Sequence, residues 1–150
     1  MSYNIVLIEP EIHTNTGNIG RLSLAAGANL HLVKPFGFEL TDARLKRAGL
    51  DYWKHISLSV YENKEEFFTI NQNKKMVFLS SHGQQEYYDI PYEDEMFLIF
   101  GKESAGLSKD ILADHADETF KIPLHSPNIR SLNLANAVSI VVYEGLRHLR

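Results

Sequence analysis

The 150 residues include no cysteine. That absence removes disulfides, thiolate metal sites, thiol nucleophiles and thiol redox switches together, and it leaves imidazoles and carboxylates as the strong metal ligands. The seven histidines, His13, His31, His55, His82, His115, His125 and His148, show no HxH or HxxxH spacing, so a structural metal site is not expected. No window approaches the roughly 20 apolar residues of a membrane span. The chain enters an apolar stretch at Ile5 with no basic region before it, and a cytoplasmic protein is expected. Internal repeats, low-complexity tracts and linkers are also lacking. With 44% hydrophobic and 23% charged residues the composition is globular, and its size predicts one domain over 1–150 with a proper core.

Positive charge is in short supply: the net charge is −4, which at first sight disfavours a polyanionic partner. Its distribution is uneven. Residues 1–63 are balanced, residues 64–118 carry −7 and residues 119–150 carry +3. Within the balanced part, Arg44, Lys46 and Arg47, followed by Lys54 and His55, form the densest basic cluster. Such a cluster reads either as a phosphate-binding patch or as a solvated helix face.

Short β-branched and aromatic runs alternate with stretches of helical period, which predicts an α/β fold around a mostly parallel sheet with helices on both faces. About six strands are expected, at 5–8, 30–33, 57–60, 76–80, 97–100 and 119–122. Helices are expected at 17–26, 42–48, 64–70, 108–113 and 133–148, with Gly27 and Gly49 as stops. The last helix is apolar on more than one face, so it requires its own sheet and a second partner, such as another subunit. The polar stretch 81–95 is expected to be a mobile excursion.

Three polar constellations follow predicted strands, where open α/β sheets place ligands. The first, Asn15-Thr16-Gly17-Asn18-Ile19-Gly20-Arg21, opens a helix whose N–H groups suit an anion or a polar ligand edge; equally, Asn15 and Thr16 cap the helix and Arg21 meets solvent. It contains GxxG, not GxGxxG, and Lys34-Pro35 stands where a dinucleotide fold places a ribose-binding carboxylate. A nicotinamide-dependent oxidoreductase is therefore a weak alternative, and no GxxxxGK[ST] phosphate loop exists. The second, Phe100-Gly101-Lys102-Glu103-Ser104-Ala105-Gly106-Leu107, has a glycine at a strand end, which signals a close approach to the backbone. Gly106 permits a turn before Ser108 caps the next helix. The third runs from Ile122-Pro123-Leu124 to Arg130-Ser131-Leu132-Asn133 and Asn136. Ser131 or Asn133 is available as a cap, and Asn136 is expected to be a buried amide.

Together the constellations resemble, in order and spacing, the three motifs of the SPOUT superfamily of RNA methyltransferases. Motif one resembles Asn15-x-Gly17-Asn18-x-x-Arg21, motif two Gly101-x-Glu103-x-x-Gly106-Leu107, and motif three Ile122-Pro123 with Ser131-Leu132-Asn133. The segment Arg44-Leu45-Lys46-Arg47-Ala48-Gly49-Leu50-Asp51-Tyr52 resembles the minimal subgroup that methylates the 2′-hydroxyl of the tRNA wobble nucleotide, a cytidine or modified uridine at position 34.

The resemblance implies a C-terminal trefoil knot, which the topological prior disfavours. It implies S-adenosylmethionine as cofactor, held at Leu79, Gly101, Ile122 and Ser131 with Leu124 and Leu132 nearby, and Gly101→Val is expected to abolish its binding with the fold intact. It gives Arg21 the catalytic role, with Asn15, Glu103 and Asn133 as supports. Because a guanidinium stays protonated near neutrality, Arg21 suits a phosphate clamp and stabiliser of charge on the 2′-oxygen better than a base. The implied partners are a second copy of the chain, with Arg21 acting in its own subunit or across the dimer, and a tRNA anticodon stem-loop held by Arg44, Lys46 and Arg47. A non-catalytic RNA-binding or assembly protein on the same fold is the alternative of a different class.

Overall fold

The computed structural model describes residues 2–41 and 51–150. Among these residues seven strands form one sheet: β1 Asn4–Ile8, β2 Asn29–Val33, β3 Leu58–Tyr61, β4 Met76–Leu79, β5 Gln85–Glu86, β6 Phe97–Phe100 and β7 Thr119–Lys121. Their order is β3-β2-β1-β6-β4-β7-β5 and every pairing is parallel. Among the described residues four α-helices accompany them: α1 His13–Ala26, α2 Lys64–Ile70, α3 Lys109–Asp114 and α4 Leu134–Leu149.

The central strands β1, β4 and β6 are unbroken buried runs, as a parallel sheet covered on both faces demands. Side-chain alternation divides them into two cores. Ile5, Leu7, Leu30, Leu32, Leu98 and Phe100 pack with Ile19 of α1 and Val138, Val141 and Val142 of α4. Val6, Ile8, Val33, Phe78 and Ile99 pack with Phe67 of α2 and Ile111 of α3. Helices therefore cover both faces, as the sequence pattern predicts.

A seventh strand corrects the expected six, and it arises in the stretch 81–95 that reads as a mobile excursion. Polar composition hides β5 because few side chains anchor this stretch: Tyr87 at 8% and Ile90 at 2% exposure, with the half-buried Tyr92 packed beside them. Register explains the short connection from β4: Leu79 and Gln85 pair with the same residue, Phe120, from opposite sides. The chain thus only steps sideways across β7, roughly 10 Å at sheet spacing, and needs no crossover helix.

Capping fixes the helix ends. Asn63 Oδ1 accepts from Glu66 N at 2.7 Å, Ser108 Oγ from Ile111 N at 3.4 Å and Asn133 Oδ1 from Asn136 N at 3.2 Å. Gly27 ends α1 in the left-handed region with φ 66°. Three smaller corrections concern β3, which lies one residue later than 57–60, β7, which stops before Ile122, and Asn136, which is exposed. Asn136 sits on the helix face turned away from Val138, Val141 and Val142. The expected helix over 42–48, its stop at Gly49 and the cluster Arg44, Lys46 and Arg47 lie outside the described residues. Among the described residues no helix is long and apolar enough to cross a membrane.

One polar chain is buried against the α2 side. His31 Nε2 lies 2.9 Å from Asn4 Oδ1 and Nδ1 lies 2.9 Å from the Tyr61 hydroxyl. Asn4 Nδ2 donates to the Glu95 carbonyl, so its Oδ1 faces the ring as an acceptor and also receives Asn29 Nδ2. The neutral tautomer follows: Nε2–H donates to Asn4, and Nδ1 accepts from Tyr61, whose oxygen receives Asn71 Nδ2. Burial pushes the imidazole down to about 4.

Candidate active site

The turn out of β6 brings Glu103 to the start of α1. Oε1 of Glu103 accepts the Glu11 N–H and Oε2 the Ile12 N–H, both at 2.8 Å. Oε2 also accepts Asn15 Nδ2 at 3.3 Å. In return Glu11 Oε1 accepts the Ser104 N–H at 2.8 Å. The Ser104 backbone and side chain, with Lys102 nearby, hold the Glu11 carboxyl below the usual carboxylate range. A carboxylate from the second constellation therefore caps a helix in the first.

This corrects the expected start of α1. The helix begins at His13 and not at Gly17, and its cap is the distant Glu103 and no local side chain. Asn15 and Thr16 are not caps; both are buried inside the first turns. The helix start does bind an anion, but the anion is Glu103 of the same chain. The GxxG glycines serve packing: Tyr52 OH donates to the Gly17 carbonyl at 3.1 Å, and a Cβ on Gly20 would stand 2.5 Å from the Trp53 ring.

Asn15 also joins the third constellation, since its Oδ1 accepts Asn133 Nδ2 at 3.1 Å. Glu103, Asn15 and Asn133 thus form one hydrogen-bonded line across three segments remote in sequence. Glu103→Gln keeps the shape but sets an NH2 group against N–H donors and removes the charge facing the helix start. We expect a loss of about 2 kcal/mol, checked by chemical denaturation at constant pH.

Behind this line a cavity of about 520 Å3 opens at the C-terminal ends of β4, β6 and β7. Leu79, Gly101, Ile122, Leu124, Ser131 and Leu132 all line it, as do Asn15, Glu103 and Asn133. Sequence reasoning missed His82, three residues past the end of β4, and gave Phe100, Lys102 and Arg130, which belong to the second and third constellations, no role in holding the cofactor; all four line the cavity. Gly101 faces a close backbone approach, as expected, but the approaching group is the chain itself at Gly106 and Leu107. The expectation that Gly101→Val spares the fold is therefore overturned.

Arg21 is exposed and does not line the cavity of its own chain. It stands six residues after Asn15, about 600° around the helix, and so projects from another face. At the C-terminus, Arg147 and His148 are both bound to Glu144, at 2.6 and 3.1 Å.

The cavity fits the cofactor that the motifs imply. Its volume lies in the range of roughly 300–1,000 Å3 usual for small-ligand pockets. Its inner wall of Leu79, Phe100, Leu107 and Phe120 is aliphatic and aromatic, suited to a flat adenine. Exposed polar groups, Ser131 and Arg130, stand at its mouth.

Comparison with known proteins places this geometry. The chain is 42% identical to the tRNA (cytidine(34)-2′-O)-methyltransferase of Escherichia coli (strain K12) over 147 residues, covering 97% of this chain and 93% of that protein. A solved structure described as giving structural insights into the 2-OH methylation of C/U34 on tRNA superposes with a TM-score of 0.91 at 40% identity, covering 99% of this chain and 96% of that one. The AdoMet-bound rRNA methyltransferase from Sinorhizobium meliloti gives a TM-score of 0.86 at 29% identity, covering 99% of this chain and 57% of that one. The model of the SpoU rRNA methylase family matches residues 2–143, and with the relatives at this identity and coverage it makes the chain a member of that family.

Proposed function

We propose that this chain transfers a methyl group from S-adenosylmethionine to the ribose 2′-oxygen of nucleotide 34 in tRNA, as a cytoplasmic homodimer that holds the anticodon stem-loop. The observation that carries the reading is that all six residues expected to hold the cofactor line one and the same cavity, in a chain 42% identical to a cytidine-34 methyltransferase. The trefoil knot belongs to the same reading. It is supported by β7 lying between β4 and β5, strands that are consecutive in sequence.

Bound cofactor supplies an activated methyl on a sulfonium that leaves without acid assistance. The chain's residues then have to position the 2′-oxygen and stabilise the charge it develops, while a phosphate oxygen or water takes the hydroxyl proton. Leu79, Ile122 and Leu132 wall the adenosine, while the Glu103–Asn15–Asn133 line fixes the loops around it. Arg21, permanently charged, attracts the adjacent phosphate and the developing oxyanion. Its place outside its own cavity favours action on the partner's cavity. Ile12 at the start of α1, Leu24 near its end and Tyr143 on α4 are exposed apolar side chains available to such pairing.

Calorimetry should show binding of S-adenosylmethionine and none of NADH, and anticodon stem-loop RNA should gain a 2′-O-methyl group at position 34. Arg21→Ala and Ser131→Tyr, the latter filling the cavity, should each be inactive alone. Mixed statistically, they should recover about one quarter of wild-type activity if the site is shared between two-fold-related subunits. No recovery in mixed dimers would assign Arg21 to its own subunit.

A further inference from the structure

Four side chains with charge or titratable nitrogen line the cavity: His82, Lys102, Glu103 and Arg130. Glu103 is fully engaged at the start of α1, and Lys102 Nζ lies 3.4 Å from Glu9 Oε1. Arg130 differs. Its side chain is exposed on the cavity wall and has no hydrogen-bond or ion-pair partner among the described residues. A guanidinium held at the mouth of a ligand cavity, with no carboxylate of its own, offers two parallel N–H donors to an anionic group of the ligand.

The cavity's polarity decides which group that is. The inner wall, Leu79, Phe100 and Phe120, is buried at 8%, 2% and 3% exposure and gives no charged partner, so the adenosine end belongs there. The amino-acid end keeps its water until it reaches exposed, charged side chains, and Arg130 stands at that end. We propose that Arg130 clamps the α-carboxylate of S-adenosylmethionine and so sets the orientation of the cofactor, an inference that rests on the cofactor reading above.

The test compares S-adenosylmethionine with its decarboxylated analogue, which keeps the adenosine, the sulfonium and the ammonium and lacks only the carboxylate. Calorimetry on the full chain should show wild type binding the analogue about tenfold more weakly than the cofactor. Arg130→Ala should bind the cofactor about tenfold more weakly and no longer distinguish the two, and Arg130→Lys should recover part of the discrimination. Discrimination retained in Arg130→Ala, or an equal loss for both ligands, overturns the clamp. Weakened anticodon stem-loop binding with both cofactor affinities unchanged also overturns it, assigning the guanidinium to an RNA phosphate. Wild-type protein that binds neither ligand overturns the cofactor reading itself, and the clamp with it.

Discussion

Gly101→Ala is expected to destabilise the protein by about 3 kcal/mol, the upper end of ordinary overpacking costs, and to cost cofactor binding as well. The cause is backbone, not ligand. A Cβ at position 101 would lie 2.1 Å from Gly106 C, 2.3 Å from Leu107 N and 2.5 Å from Gly106 O. No rotamer relieves a clash between a Cβ and main chain, so the turn must open. That turn is closed by Gly106 N donating to Lys102 O at 2.8 Å, and it carries Glu103, on which the start of α1 depends. One methyl group therefore disturbs the cavity wall and a helix cap together. Denaturant titration and calorimetry with S-adenosylmethionine check both consequences. An Ala variant with an unchanged denaturation midpoint would show that the turn yields freely.

The same residue shows how far the sequence could be read. A glycine at a strand end announced a close approach, but the identity of the approaching group depends on how a turn folds back, which no local pattern records. The central strands were legible because β1, β4 and β6 are uninterrupted apolar runs, and α3 and α4 because Ser108 and Asn133 cap them within three residues. The start of α1 was not legible. Its cap, Glu103, comes from more than 90 residues away, while Asn15 and Thr16 imitate caps and are buried instead. β5 escaped because its two residues are polar and exposed, held through the backbone of β7 and not by a hydrophobic pattern. Resemblance joined the three constellations and grouped Asn15, Glu103 and Asn133 as supports, but did not show the bonds between them. Their union through Asn15, which contacts both Glu103 and Asn133, is a property of the folded chain.

Acidification from pH 6.5 to 4 is expected to remove about 3 kcal/mol of stability through His31 alone, at about 1.4 kcal/mol per pH unit between its unfolded and folded pKa values. The imidazole is 7% exposed and is pushed down to about 4 by that burial, against 6.5 when free. Between these values the unfolded chain binds a proton that the folded chain refuses, so stability rises with pH across the window and falls as pH drops through it. Above about 6.5 the full contribution is present, and below about 4 it is gone. Protonation would also turn Nδ1 into a donor facing Tyr61 OH, whose oxygen already receives Asn71 Nδ2, so the hydroxyl proton would lose its acceptor. His31→Gln offers an amide to Asn4 Oδ1 but does not titrate. It should be less stable than wild type at pH 7 and approach or overtake it at pH 4, the difference closing by about 3 kcal/mol. Because carboxylates titrate in both proteins alike, the difference between them isolates His31. Parallel stability curves for the two proteins from pH 7 to 4 would show that this imidazole takes up its proton as readily folded as unfolded.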